Sequence, residues 1–133
     1  MEANQKEEIR QIKRQLLELP ARIAELKRRA REHRAAADEI RSRMQDIEAE
    51  LISQIAVATN GSGKPVYPNE TARNAELKRC LAKHLDYQRL KSVLLQTELK
   101  RDEAEIEVGE LISRFSAWKA IAELTAAELK SLS

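Results

Sequence analysis

The first half of the chain carries an unbroken heptad pattern of fifteen positions, which alternate in steps of three and four, and thirteen of them are apolar. These positions are Ile9, Ile12, Leu16, Leu19, Ile23, Leu26, Ala30, His33, Ala37, Ile40, Met44, Ile47, Leu51, Gln54 and Ala58. A strand repeats every two residues, and an ordinary surface helix does not keep one phase for seven heptads. The pattern therefore predicts a long helix that lies along another helix as a coiled coil.

Composition agrees with long helices rather than with a globule that has many turns. Among 133 residues there are three glycines, three prolines and 3% aromatic residues, whereas 35% are charged. So few aromatic side chains leave little material for a thick core. We therefore expect a single all-α domain built around a thin seam between helices.

Charge, cysteine content and hydropathy indicate the setting of the protein. The formal net charge of +2 does not demand a strongly electrostatic partner. The single cysteine, Cys80, excludes an internal disulfide framework and suits a reducing compartment. No apolar run is long enough to span a bilayer, and the first residues lack the pattern of a secretory signal. We expect a soluble cytoplasmic protein with no membrane partner.

Turn-forming residues concentrate in one segment, Thr59–Asn69, which contains two of the three glycines and two of the three prolines. Asn69 is placed to cap a following helix, and Glu70 would lie in its first turn. Thr125 and Glu128 have capping-box spacing, so the last residues form either a short helix or a frayed tail. The predicted elements are helix 1 over about residues 3–58 with a kink at Pro20, a tip loop over 59–68, helix 2 over about 69–124 and a C-terminal segment over 125–133.

The second predicted helix has a seam of its own, so the chain can pair with itself. Its positions are Tyr87, Leu90, Leu94, Thr97, Arg101, Ala104, Val108, Leu111, Phe115, Trp118 and Ala122. The two arms match in length, which favours an antiparallel helical hairpin. Folding about the loop would pair residue i with about residue 127 − i, and this pairing would place Pro20 beside Gly109.

A further set of apolar residues lies on the side of helix 2 that faces away from its seam. The set consists of Leu81, Leu85, Leu95, Leu99 and Ile106. These side chains favour self-association, most simply a two-fold dimer that forms a four-helix bundle. The alternative is that helix 2 shifts its register near Leu99 and uses these side chains within its own hairpin.

A basic stretch occupies residues 22–34, with six basic and two acidic residues. Its candidate phosphate contacts are Lys27, Arg28, Arg31 and Arg34, which would bind nucleic acid in a salt-dependent way. The alternative is that the stretch sets the register of the hairpin, because the pairing rule places it beside residues 93–105, an acid-rich segment that Glu107 and Glu110 continue.

Catalytic, metal and cofactor sites are not predicted. Gly61–Lys64 resembles the end of a phosphate-binding loop, but Ala58 and Pro65 stand where a glycine and a serine or threonine would be needed. Cys80 and His84, one helical turn apart, supply fewer than the three or four ligands that zinc requires. We find no nucleophile–base set, and two helices alone would form no concave pocket, so we expect no enzyme activity.

The tip loop is the remaining candidate contact with a protein partner, through Lys64, Val66 and Tyr67. The alternative is that Tyr67 folds back and has a structural role. The segment Gly63-Lys-Pro-Val-Tyr-Pro-Asn-Glu-Thr-Ala-Arg73 between two heptad arms resembles small helical-hairpin proteins of uncharacterised function in bacteria and their phages. That resemblance implies a helical hairpin and no particular activity.

These features favour a non-enzymatic structural or interaction module, such as a scaffold, spacer or adaptor, which self-associates and contacts a partner through its tip. The alternative function is a nucleic-acid-binding accessory protein that uses residues 22–34.

Overall fold

The computed structural model describes residues 2–132, which form three α-helices and no strand. Helix α1 spans Glu2–Val57, α2 spans Glu70–Lys83 and α3 spans Leu85–Ser131. The all-α class predicted from the two seams is confirmed. Pro20 is exposed and lies inside α1, which continues on both sides of it.

The heptad positions of α1 form its inward face. Every one of them from Ile9 to Leu51 is buried or half-buried, whereas Gln54 is exposed and Ile55 is buried in its place. An α-helix has 3.6 residues per turn rather than 3.5, so a strict heptad drifts around the helix axis. Two consecutive steps of four, from Ile47 through Leu51 to Ile55, bring an apolar side chain back to the inward face.

The predicted seam of the second half also faces inward. All eleven of its positions, from Tyr87 to Ala122, are buried or half-buried, and Ala104 and Leu111 are the most buried. Thr125 is half-buried as well, and α3 continues to Ser131. The predicted restart or frayed tail at residue 125 is therefore wrong, because Thr125 lies three residues after Ala122 and continues the same inward face.

The predicted second helix is divided into α2 and α3 at His84. Asn69 is the N-cap of α2, as predicted, and its side chain accepts a hydrogen bond of 2.8 Å from the Ala72 amide. At His84 the backbone is extended, with φ −77° and ψ 109°. The Nδ1 atom of His84 accepts a hydrogen bond of 3.0 Å from the Tyr87 amide. One histidine thus ends α2 and caps α3, and no glycine or proline is needed for the break.

The chain falls into two compact units, where the sequence predicted one domain. The terminal unit contains residues 2–32 and 100–132 of the described chain. Its core is a cluster of apolar side chains in which buried leucines contact half-buried residues from α1 and α3. The cluster consists of Leu19, Ile23, Leu26, Val108, Leu111, Phe115 and Trp118. Burial of these apolar side chains stabilises the terminal unit.

The loop unit comprises His33–Leu99. Ala37 is completely buried in it, so a small side chain lets the helices approach closely. Arg41 forms an ion pair with Glu98, and the Tyr87 hydroxyl donates a hydrogen bond of 2.7 Å to Glu48. Residue numbers rise along α1 as they fall along α3, so the helices of the loop unit run antiparallel.

The register differs from the folding rule. Arg22 contacts Glu107, two positions beyond its expected partner, whereas Arg41 contacts Glu98, twelve positions beyond its expected partner. The rule assumed two straight helices on either side of the loop. The break at His84 interrupts the second of these helices, and the offset is larger in the loop unit, which contains this break, than in the terminal unit.

The contact between Arg22 and Glu107 has the register that the sequence analysis gave to Pro20 and Gly109, which lie two residues before Arg22 and two residues after Glu107. Pro20 and Gly109 are both exposed, and a Cβ atom built on Gly109 would meet no atom within 4 Å. Gly109 therefore does not provide space for a neighbouring side chain.

The cap at His84 can be tested by substitution. We expect His84→Ala to lower the free energy of unfolding by on the order of 1 kcal/mol, because the Tyr87 amide loses its acceptor. His84→Asn should retain most of that stability, since an asparagine side chain also accepts from the first turn of a helix. Urea unfolding followed by circular dichroism at neutral pH measures both variants. Equal losses for alanine and asparagine would contradict a capping role.

Candidate functional site

The loop between α1 and α2, residues 58–69, is held by hydrogen bonds. The Asn60 side chain accepts from the Lys64 amide at 3.1 Å, and the Asn60 amide donates to the Lys64 carbonyl at 2.8 Å. Gly63 has φ 75°, a left-handed conformation that glycine adopts without steric cost. The Val66 amide donates to the Ala58 carbonyl at 3.0 Å. The loop is therefore preorganised by its own backbone.

Tyr67 is anchored to α2 by a carboxylate. Its side chain interacts with Glu76, and the Glu76 carboxylate accepts hydrogen bonds from the Arg79 Nε at 2.9 Å and from the Cys80 Sγ at 3.3 Å. We call Tyr67, Glu76, Arg79 and Cys80 the Glu76 cluster. The Arg79 guanidinium is the main cause that lowers the pKa of Glu76 to about 2. Partial burial, followed by the Glu76 carboxylate, raises the pKa of Tyr67.

The Glu76 cluster decides the availability of the predicted tip contacts. Tyr67 is half-buried and its hydroxyl is engaged, which agrees with the structural alternative for this residue. Lys64 and Val66 are exposed, and 46% of Val66 is accessible. The sequence analysis missed this cluster, although Glu76, Arg79 and Cys80 have the i, i+3 and i+4 spacing of neighbours on a helix.

The predicted phosphate contacts on α1 are exposed but are not all available. Arg28 donates two hydrogen bonds to Glu25, at 2.6 and 3.1 Å, and also pairs with Glu32. The hydrogen bond and charge of Glu25 raise the pKa of Arg28. Arg34 also has an interaction partner, whereas Lys27 and Arg31 are exposed one turn apart on α1.

Part of the predicted charge pairing between helices is present. Arg22 Nη2 lies 3.0 Å from Glu107 Oε1, so one basic residue of the stretch contacts the acid-rich segment of α3. Arg28, by contrast, pairs with carboxylates of its own helix. The side chains of Arg22 and Glu107 are 60% and 42% exposed, so solvent screening leaves this pair little effect on stability.

The predicted oligomer face is mostly open to solvent. The exposed fractions of Leu85, Leu95 and Leu99 in the loop unit are 72%, 61% and 53%, and that of Ile106 in the terminal unit is 63%. Leu81 is half-buried. The alternative prediction, in which a shift of register buries these side chains within the hairpin, is therefore wrong for the four exposed residues.

The terminal unit also contains an open apolar groove of about 250 Å³. Side chains of α1 and α3 line it together, chiefly Ile9, Ile12 and Leu16 on one helix and Ala126 and Leu129 on the other. Apolar surface is thus available in each unit when that unit is taken separately.

Residues 2–132 contain no group of three or more side chains suited to hold a metal ion. The hydrogen bond to Glu76 raises the pKa of the Cys80 thiol, which disfavours the nucleophilic thiolate. Its predicted neighbour His84 is engaged as a helix cap.

None of the three helices has, within residues 2–132, the long apolar segment that a membrane crossing requires. No protein-family model matches the chain, and no curated protein or solved structure is significantly similar to it.

The Glu76 cluster generates a pH-dependent prediction. The pKa of Glu76 is lowered in the folded chain, so its stabilising contribution is present above about pH 4.5 and fades as the pH falls towards 2. Glu76→Gln should lower the melting temperature at pH 7. The difference in melting temperature between this variant and the unmodified chain should shrink as the pH falls from about 4.5 towards 2. Arg79→Gln should give a similar profile, because it removes the main cause of the shift. Thermal unfolding by circular dichroism between pH 7 and 2 tests both; a difference independent of pH would contradict the assignment.

Proposed function

We propose that the chain is a non-enzymatic interaction module that self-associates through its exposed apolar helix faces and serves as a scaffold, spacer or adaptor. The observation that carries the proposal is the imbalance of apolar side chains within residues 2–132. Fourteen large hydrophobic residues are exposed, whereas eight hydrophobic residues are buried. Contiguous exposed apolar surface on a folded chain commonly marks an interaction site.

The accessible surface supports the same proposal. It amounts to 10,065 Å², whereas a globular monomer of 15.2 kDa would expose about 7,100 Å². The excess of about 3,000 Å² is larger than the ~800 Å² that each partner buries in a standard stable interface. Association of two copies in a four-helix bundle would remove part of this surface from water.

The α1–α2 loop extends the proposal to a second protein. Its backbone hydrogen bonds hold Lys64 and Val66 in place, so a partner that docks there would lose less entropy in ordering the loop. Val66 supplies apolar area and Lys64 a positive charge. We assign the loop as the partner contact of an adaptor, with Tyr67 as its anchor to α2.

Self-association predicts the mass of the chain in solution. We expect light scattering after size exclusion to give about 30 kDa, twice 15.2 kDa, at tens of micromolar protein. The mass should fall towards that of one chain on dilution, since an equilibrium dimer dissociates as concentration decreases. A mass of one chain throughout the micromolar range would contradict the proposal.

The exposure of Lys27 and Arg31 on one side of α1 favours a second candidate, an accessory protein that binds nucleic acid. These two residues belong to a stretch with an excess of basic residues, and neither of them forms an ion pair with Glu25. Two phosphate contacts would make binding salt-dependent.

The two candidates differ in their response to charge reversal. If nucleic acid is the partner, Lys27→Glu with Arg31→Glu should weaken duplex binding and reduce the slope of log K against log salt by about two. A matched double exchange on α3, Lys119→Glu with Lys130→Glu, should leave that binding unchanged. If the chain is the interaction module instead, fluorescence anisotropy should detect no salt-dependent binding of duplex DNA at physiological ionic strength. The Lys27→Glu, Arg31→Glu variant should then also keep the mass of the unmodified chain in solution.

A further inference from the structure

One face of α3 within the loop unit repeats the spacing of the inward seam on the outer side. We call it the α3 stripe, and it consists of Leu85, Gln88, Ser92, Leu95 and Leu99. The steps along it are three, four, three and four, which is a second heptad seam on the same helix. No member is charged, although 35% of the chain is. An uncharged outer seam on such a chain is typical of a helix–helix contact.

We propose that a second copy of this chain docks antiparallel onto the α3 stripe, with Ser92 of each copy opposite Leu95 of the other. The proposal rests on the proposed self-association and specifies its surface, direction and register. A two-fold axis makes such a contact self-complementary, because the same patch serves both copies.

The exposure of the stripe supports a second helix as its occupant. Leu85, Leu95 and Leu99 are each more than half exposed, and they are spaced to meet the seam of another helix rather than a flat surface. The accessible surface of the chain exceeds that of a globular monomer by more than one partner buries in a standard interface. A copy of the same stripe offers matching spacing and equal apolar area.

Charges beside the stripe favour the antiparallel direction. Lys91 and Glu98 flank it on the same side, one residue before Ser92 and Leu99. When Ser92 lies opposite Leu95 of the second copy, Lys91 lies near Glu98 of that copy, and the symmetry repeats the pair. In a parallel arrangement Lys91 would face Gln96 and gain no opposite charge. Charged flanks of this kind determine direction in paired helices.

The polar members of the stripe restrict the register. Gln88 already donates a hydrogen bond of 2.8 Å to the Leu81 carbonyl, so its amide is oriented by the helix break. An open groove of about 440 Å³ lies along the stripe, lined by Gln88, Ser92, Leu95 and the two charged flanks. The small Ser92 leaves room there for the larger Leu95 of the second copy.

The first test uses the dissociation constant of the dimer, measured by analytical ultracentrifugation on the full chain. Leu95→Asp should raise it by at least about tenfold, because each dimer contains the position twice. Leu17→Asp is the matched control, since Leu17 is 78% exposed and lies on α1. Both variants should keep their helix content, because neither side chain is buried.

The second test addresses direction. Lys91→Glu and Glu98→Lys should each weaken the dimer, and the double exchange should restore most of the affinity. Glu98 also contacts Arg41 of its own chain, and that contact is altered to the same extent in the Glu98→Lys variant and in the double exchange. Restoration therefore reports the contact between copies.

The third test uses disulfide cross-linking in a Cys80→Ser background. A mixture of the Ser92→Cys chain and the Leu95→Cys chain should form mixed disulfides in preference to those between identical chains. Preference for identical chains would overturn the antiparallel register. A dimer insensitive to Leu95→Asp would overturn the α3 stripe as its surface and leave self-association standing. A monomeric unmodified chain would overturn both proposals.

Discussion

Burial of apolar side chains along a narrow seam is the interaction on which each unit depends. In the terminal unit, leucines such as Leu26 and Leu111 meet between α1 and α3, with Phe115 and Trp118 packed against them. In the loop unit, the completely buried Ala37 allows close approach of the helices. Hydrogen bonds within helices satisfy the backbone, but the seam is what makes the helices associate.

A narrow seam has a direct consequence for function. A helix can bury one stripe against a neighbour, and the remaining apolar residues of that helix stay in contact with water. On α3 these residues include Leu95 and Leu99, which repeat the heptad spacing on the outer side. The proposed self-association would use this open surface, whose spacing is of the same kind as that of the seam within each unit.

Polar groups act mainly at the places where helices end. His84 ends one helix and caps the next, and Asn69 caps α2. Glu76 interacts with Tyr67 of the loop and accepts hydrogen bonds from Arg79 and Cys80 of α2. These groups add little apolar burial. Their effect is to determine where the chain changes direction and which loop side chains remain exposed.

Much of the candidate contact surface could be read from spacing. Leu85, Leu95 and Leu99 were predicted to lie away from the inward seam because a helix fixes the angle between residues along its length. Tyr67 could not be assigned in this way. Its contact with Glu76 depends on the path of the α1–α2 loop, so spacing along a helix does not predict it.

The sequence alone determined the helical class and the inward faces, because a sustained apolar period is a local property that one helix satisfies by itself. Only the tertiary structure decided the break at His84 and the pairing of Arg41 with Glu98. No glycine or proline marks that break. It depends on the His84 Nδ1 atom, which accepts a hydrogen bond from the Tyr87 amide in the first turn of α3. The pairing depends on how many residues the loop and α2 use before the two seams meet, which no single segment specifies.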